Sequence, residues 1–190
     1  MVEQLESPPV GWPVARMRHK LSKLSVPGFP EQSARRALRS LQSLSGIVAP
    51  RVQVAVLRSL YNGWITCRRF GERYAGRCRF GCGADCSLQH YLRCRVVHDF
   101  AQRHIGLDLA GDQRWAEMLY VSDTSSRRDP IRHSQRVAIL HYVIYRAVHA
   151  LRHTGPLHCE EVDRLLQQAL IEVTRGHTKS RDAILVRSHM

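Results

Sequence analysis

Apolar residues recur at helical intervals through most of this chain, and proline and glycine punctuate the runs. Val14, Met17, Leu21 and Leu24 lie three or four positions apart, with Arg16, Arg18, Lys20 and Lys23 between them, which predicts a helix from Pro13 to Leu24. Pro27-Gly28-Phe29-Pro30 interrupts the pattern. Pro30 suits the first turn of a helix through Leu44, with Ala34, Leu38, Leu41 and Leu44 inward and Arg35, Arg36 and Arg39 outward. Pro50 opens another, with Val52, Val54, Ala55, Leu57 and Leu60 apolar, ending near Asn62-Gly63. Trp64 to Phe70 reads as a short helical resumption.

In the second half, Asp85 or Ser87 is placed to cap a helix carrying His90, Tyr91, Cys94, Val97 and Phe100 to about His104. A further helix is predicted from Asp112 through Tyr120, followed by a polar loop from Asp123 to Arg128. The longest element runs from Pro130 to His153, where Val137, Leu140, Val143, Ile144, Ala147, Val148 and Leu151 form a broad apolar stripe. Gly155-Pro156 stops it, and Val162, Leu165, Leu166, Ala169, Leu170 and Val173 set a last helix from Cys159 to Thr174. No segment alternates with period two, so strands are confined at most to the glycine-punctuated stretch near residue 80, and no internal repeat is visible.

That stretch carries the chemistry. Cys78, Cys82, His90 and Cys94 form C-x3-C-x7-H-x3-C, a ligand set and compactness that suit a structural zinc site. Phe80-Gly81 and Gly83-Ala84 supply a flexible turn that folds the first two thiols onto one point, while His90 and Cys94 at i, i+4 share one helical face. Cys86 is the alternative ligand, because Cys86, His90, Cys94 and His98 also fall at four-residue steps. Three ligands in a row on one helix strain a tetrahedron, which favours Cys78 over Cys86. Buried thiols without metal are the plain alternative, but four of the six cysteines lie within 17 residues. The expected fold is therefore all-α, several short helices around one zinc knuckle at 78–94 and one long helix near the C-terminus. Residues 1–12 read as an irregular arm, 13–174 as a single helical domain, and 175–190 as a tail of undetermined order.

Charge adds a partner. The 190 residues carry 29 basic and 16 acidic side chains for a net +13, and 26 of the cations are arginine. Residues 1–60 contribute +6, 61–100 contribute +4 and the last ninety +3. Such an excess suits a polyanion, since each phosphate contact releases counterions. The most apolar run, Val137 to Tyr145, is short and interrupted by His141, so no membrane association is expected. Clustered cysteine beside histidine, with no apolar leader, points to a reducing intracellular compartment, nuclear or cytoplasmic. Arg16-Met-Arg-His-Lys-Leu-Ser-Lys23 is a nuclear-import candidate.

The segment Leu57-Arg-Ser-Leu-Tyr-Asn-Gly-Trp-Ile-Thr-Cys-Arg-Arg-Phe70, followed by Cys78-Arg-Phe-Gly-Cys82 and His90-Tyr-Leu-Arg-Cys94, resembles the region behind the reverse transcriptase domain of non-LTR retrotransposon polyproteins. There an Asn-Gly-Trp-x-Thr-x-Arg-Arg-Phe segment precedes a C-terminal zinc knuckle. The resemblance covers residues 57–97, and the extra thiol Cys86 departs from it. It implies a nucleic-acid-handling module without the polymerase: the chain has no Asp-Asp pair to hold the two metal ions of reverse transcription, its eight aspartates being scattered from Asp85 to Asp182.

The expected function is thus a zinc-stabilised nucleic-acid-binding module, for RNA or DNA, with no catalysis of its own. Arg68, Arg69, Arg73, Arg77, Arg79, Arg93 and Arg95 crowd the cluster as phosphate contacts, and Phe80, flanked by Arg79 and Gly81, is the preferred base-stacking residue over Tyr74 and Tyr91. Phe70 and Tyr91 are read as core. The alternatives are an α-helical module for a protein partner with a purely structural zinc, or a degenerate transposon fragment. His141, His149, His153 and His158 are read as packing or surface residues. Cys159 beside His158 lacks an orienting third group, and Ser87, Thr66 and Ser125 lack an activating partner.

Overall fold

Eight consecutive residues, Val137 to Ile144, are buried, so the helix that carries them must be wrapped on all sides rather than laid on a surface. That helix sits at the centre of the computed structural model, which describes residues 12–23, 31–67, 77–109, 114–122, 127–151 and 157–185. The described residues are all-α. They comprise α1 (Trp12–Ser22), α2 (Glu31–Ser43), α3 (Pro50–Leu60), α4 (Leu88–Tyr91), α5 (Arg95–Phe100) running into a π-helical turn (Ala101–Ile105), α6 (Arg114–Met118), α7 (Pro130–Ala150), α8 (Cys159–Arg175) and α9 (Thr178–Leu185). Among them the only extended pairing is an isolated antiparallel bridge between Arg77 and Asp85.

The central helix α7 is built for length. Asp129 caps it by accepting the Arg132 N–H at 2.9 Å, and Pro130 at the first turn has no N–H to leave unpaired. Its faces pack on α3 and on α8, with α6, α9 and the π-helical turn at its sides. α1 packs on α2 and α3, closing the core with Met17, Leu21, Ala34 and Ala37 at 0% exposure. Where the π-helical turn ends, Gly106 takes φ +67°, a left-handed cap that lets the Leu107 N–H return to the Ala101 carbonyl at 3.1 Å.

The basic tail is ordered through α9. Buried Gln135 donates to the carbonyls of Ile47 and Lys179, and Arg136 donates to those of Ala183 and Gly106, so two side chains of α7 tie four segments together. Ser180 and Ala183 sit in the core. The sequence pattern fell short here because an eight-residue helix with two apolar contacts carries too little periodicity to stand out.

Two other expectations change. The single helix predicted from Ser87 to His104 is broken: α4 ends at Tyr91, and Cys94 is extended (φ −64°, ψ 124°) before α5 begins. Trp64 to Thr66 is not helical, since Asn62 at φ +48° and Gly63 close α3 and turn the chain away. Several predicted boundaries, among them Leu24, Pro30, Asp112 and His153, lie outside the described residues, as does residue 70.

Candidate metal centre

The segment from Arg77 to Asp85 folds back on itself because two glycines take left-handed backbone, Gly81 at φ +75° and Gly83 at φ +81°, flanking Cys82. The Cys78 N–H reaches the Ala84 carbonyl at 2.5 Å and the Gly81 N–H reaches the Cys78 carbonyl at 3.1 Å, which brings the first two thiols side by side. At Gly81 any side chain is excluded twice over, by the positive φ and by the Leu157 carbonyl 3.0 Å from where a Cβ would lie.

Ser87 then caps the short α4, its hydroxyl accepting the His90 N–H at 3.1 Å. His90 thus projects from a single helical turn. The break at Cys94 has a purpose in the geometry: its sulfur enters at the start of α5, where backbone N–H groups have no intrahelical acceptor and favour negative charge. His90 and Cys94 meet across a helix–turn–helix, not up one helical face.

Together the four side chains form one cluster, with the donor atoms of Cys78, Cys82, His90 and Cys94 all within 4.8 Å of one another. The measured edges are 4.0 Å from Cys78 Sγ to Cys94 Sγ, 3.8 Å from Cys94 Sγ to Cys82 Sγ and 3.1 Å from Cys82 Sγ to His90 Nε2. A tetrahedron with metal–sulfur bonds of about 2.3 Å has S···S edges of about 3.8 Å. The donor set can hold a metal ion, and its dimensions are compatible with zinc. Cys78 and Cys94 are fully buried, while Cys82 is exposed and His90 half-buried. One side of the cluster faces the core and the other faces solvent.

The electrostatics of the sulfurs are already divided. The Cys78 thiol hydrogen-bonds Cys94, and that contact, helped by His90 and the Val97 N–H, holds Cys94 down to about 4 in spite of burial. The same contact and burial push Cys78 up, although the Phe80 N–H donates to its sulfur at 3.4 Å. The pair thus favours the thiolate at Cys94 and the thiol at Cys78, and a bound metal ion would displace the proton they share.

Cys86 does not join the cluster. It is 2% exposed, and its sulfur lies 3.2 Å from the Cys67 N–H and 3.4 Å from the Tyr91 hydroxyl. The alternative ligand set with Cys86 needed a continuous helix through residues 86–94, and the chain becomes helical only after Ser87. His98 is also excluded as a ligand by its position: it is buried, with Nε2 donating to the Leu92 carbonyl at 3.1 Å, which fixes α5 against the preceding turn.

The residues expected to touch nucleic acid divide three ways. Arg77, Arg93 and Arg95 are exposed around the cluster. Arg79 is 6% exposed and so is not displayed as a surface cation. Phe80 is 1% exposed and meets the Tyr91 ring edge-on at 5.3 Å, which corrects its assignment as a stacking residue. The physical reason is the turn at Gly81, which folds Phe80 inward; charged and glycine neighbours do not set side-chain direction. Tyr91 is core, as expected. Arg68, Arg69, Arg73 and Tyr74 lie outside the described residues.

A second polar centre escaped the sequence reading. Ser59 and His141, both 0% exposed, meet at 2.8 Å between Ser59 Oγ and His141 Nδ1. Trp64 Nε1 donates to Ser59 Oγ at 2.9 Å, and His141 Nε2 donates to the Met118 carbonyl at 2.6 Å. That carbonyl can only accept, so Nε2 carries a proton; burial, which lowers His141 to about 4, keeps the imidazole neutral and leaves Nδ1 as an acceptor, which shares the Ser59 hydroxyl with the Ala55 carbonyl 3.0 Å away. The one available signal was positional: Ser59 and His141 both fall within otherwise apolar helical faces. The centre is sealed in the core and linked to the metal cluster through the Trp64 and Tyr91 rings, 6.0 Å apart.

No family model, curated protein or solved structure matches this chain. Among the described residues no helix is long and apolar enough to cross a membrane.

Proposed function

We propose that this chain is an intracellular zinc-stabilised nucleic-acid-binding module without catalysis of its own, related to the knuckle region behind non-LTR retrotransposon reverse transcriptases. The observation that supports the reading is the convergence of three sulfurs and one imidazole, with sulfur–sulfur spacings of 3.8 and 4.0 Å close to tetrahedral edges. Zn²⁺ is the ion that suits an S₃N donor set. Cys78, Cys82, His90 and Cys94 would hold it, and its binding energy would become folding energy for residues 77–94. The polyanion follows from the net +13 and from Arg77, Arg93 and Arg95 standing exposed beside the cluster.

Two measurements test this. Metal analysis of purified protein should return one zinc per chain, lost in both Cys82→Ser and His90→Ala. Affinity for mixed-sequence oligonucleotides should fall steeply with salt. A protein carrying no zinc removes the structural half of the proposal. Salt-independent binding to a protein partner, with no oligonucleotide binding, removes the other half.

A further inference from the structure

The nine cations between residues 12 and 67 are accompanied by a single carboxylate, Glu31. The last ninety residues differ in balance, with thirteen cations against ten carboxylates, and four of their arginines are paired: Arg103 with Asp163, Arg127 with Glu117, Arg132 with Asp129 and Arg146 with Glu172. The excess charge is therefore concentrated on α1–α3 rather than spread over the surface.

On α1 and α2 that charge shares a face. Arg18 and Arg35 both reach Glu31, at 3.7 Å and 2.6 Å, which places a cation from each helix beside the same carboxylate. Arg35 and Arg39 are one turn apart, Arg36 and Arg39 likewise, and all three are exposed, as are Arg18 and Lys23. The opposite faces are committed to the core through Met17, Leu21, Ala34 and Ala37. This last point leaves α1 and α2 no apolar face to insert into lipid, so the pair offers charge alone.

We infer that the outer face of the α1–α2 pair, with Arg18, Lys23, Arg35, Arg36 and Arg39, is the principal contact for a nucleic-acid phosphodiester backbone, and that the metal knuckle is a secondary one. The inference rests on the nucleic-acid reading above and deepens it by locating the surface. Guanidinium groups bind phosphate oxygens bidentately, which suits an arginine-dominated face. The α2 face repeats cations along the helix axis, an arrangement that suits a run of successive phosphates.

The test measures anisotropy of labelled 20-mers of single-stranded RNA, single-stranded DNA and duplex DNA against salt for the full chain, an R35Q/R36Q/R39Q variant and an R77Q/R93Q/R95Q variant. The α2 triple should lose at least about tenfold in affinity for whichever backbone is bound, and its salt slope should flatten by about two to three, at about 0.7–0.9 per contact. The knuckle triple should lose less. Equal or greater loss in the knuckle triple overturns the inference but leaves the function standing. Absence of binding by the unaltered chain removes the function itself. Tighter binding to phosphatidylserine vesicles than to any oligonucleotide overturns the assignment to nucleic acid. Unfolding midpoint and zinc content check folding, and R18Q/K23Q on α1 supplies an independent variant with the same expected direction.

Discussion

Two polar centres among the described residues are bridged by Trp64 and Tyr91, whose ring centroids lie 6.0 Å apart, and they are built on opposite principles. In the Ser59–Trp64–His141 centre each polar atom finds a partner within the protein: indole to hydroxyl, hydroxyl to imidazole, imidazole to carbonyl. Such a network, once closed, stabilises the core and gives nothing to solvent. In the cluster of Cys78, Cys82, His90 and Cys94 the four donor atoms instead converge on one point, within 4.8 Å of one another, and their hydrogen bonds run among themselves, Cys78 to Cys94 and Cys82 to His90. Donor atoms that converge in this way mark a site for something added. Side chains that pair mark architecture. The comparison teaches how to separate a histidine placed to take a metal ion from one that ties a helix into the core.

The largest expected effect breaks the coordinating centre. Cys94→Ser, or chelation of the native protein, should abolish metal content and cost at least about 5 kcal/mol, or 10–20 °C in unfolding midpoint for a chain of this size. Calorimetry with parallel metal analysis reads both.

Next, His141→Leu should lower stability by about 1–3 kcal/mol by leaving the Met118 carbonyl buried without its donor, while the Ser59 hydroxyl keeps the Ala55 carbonyl and the Trp64 indole as partners. Zinc content should stay at one per chain, which is the outcome that distinguishes the two centres. Loss of metal in this variant would show that they form a single unit.

The same residue sets a pH effect. Folding lowers His141 from its ordinary 6.5 to about 4, so the unfolded chain binds the proton first and stability falls as pH drops between those values. The contribution is about 3 kcal/mol across that window. Denaturant titrations at pH 7 and pH 4.5 in chelator should show the slope in the native chain and its reduction in His141→Leu.

The smallest effect sharpens the ligand assignment. Cys86→Ala removes a sulfur that touches only the Cys67 N–H and the Tyr91 hydroxyl among its hydrogen-bonding contacts, so it should cost about 1 kcal/mol and leave zinc stoichiometry unchanged. Halved metal content would return Cys86 to the ligand set.

Most of the helices were legible from residue spacing because the apolar positions of α2, α3, α7 and α8 keep one period over three or more turns. Pro50 and Pro130 mark their helix starts at the first turn, as the sequence indicates. The short elements were less legible. The break before Cys94 depends on one extended residue within an apolar run that fits a continuous helix equally well. Likewise α9 is held mainly by Gln135 and Arg136 reaching its backbone carbonyls, a kind of contact that leaves no periodic trace.

The candidate site followed the same division. The membership of the cluster was readable because two thiols with glycines between and beyond them must fold tightly, and an imidazole four residues before another thiol completes the set. The direction of Phe80 and the burial of Arg79 were not, since both turn on how the knuckle packs against Tyr91 and the segment at Leu157.

The sequence by itself determined an all-α chain, the members of a cluster that can hold a metal ion, and an excess of positive charge concentrated toward its N-terminal half. Only the tertiary structure decided that Cys86 faces away from the cluster, that Ser59 meets His141 across 82 residues, and that the cations of α1 and α2 stand around one carboxylate. The reason is the range of the forces involved. Periodicity and turn chemistry act between neighbours in the chain, whereas side-chain partnership depends on how each helix is rotated about its axis when it packs.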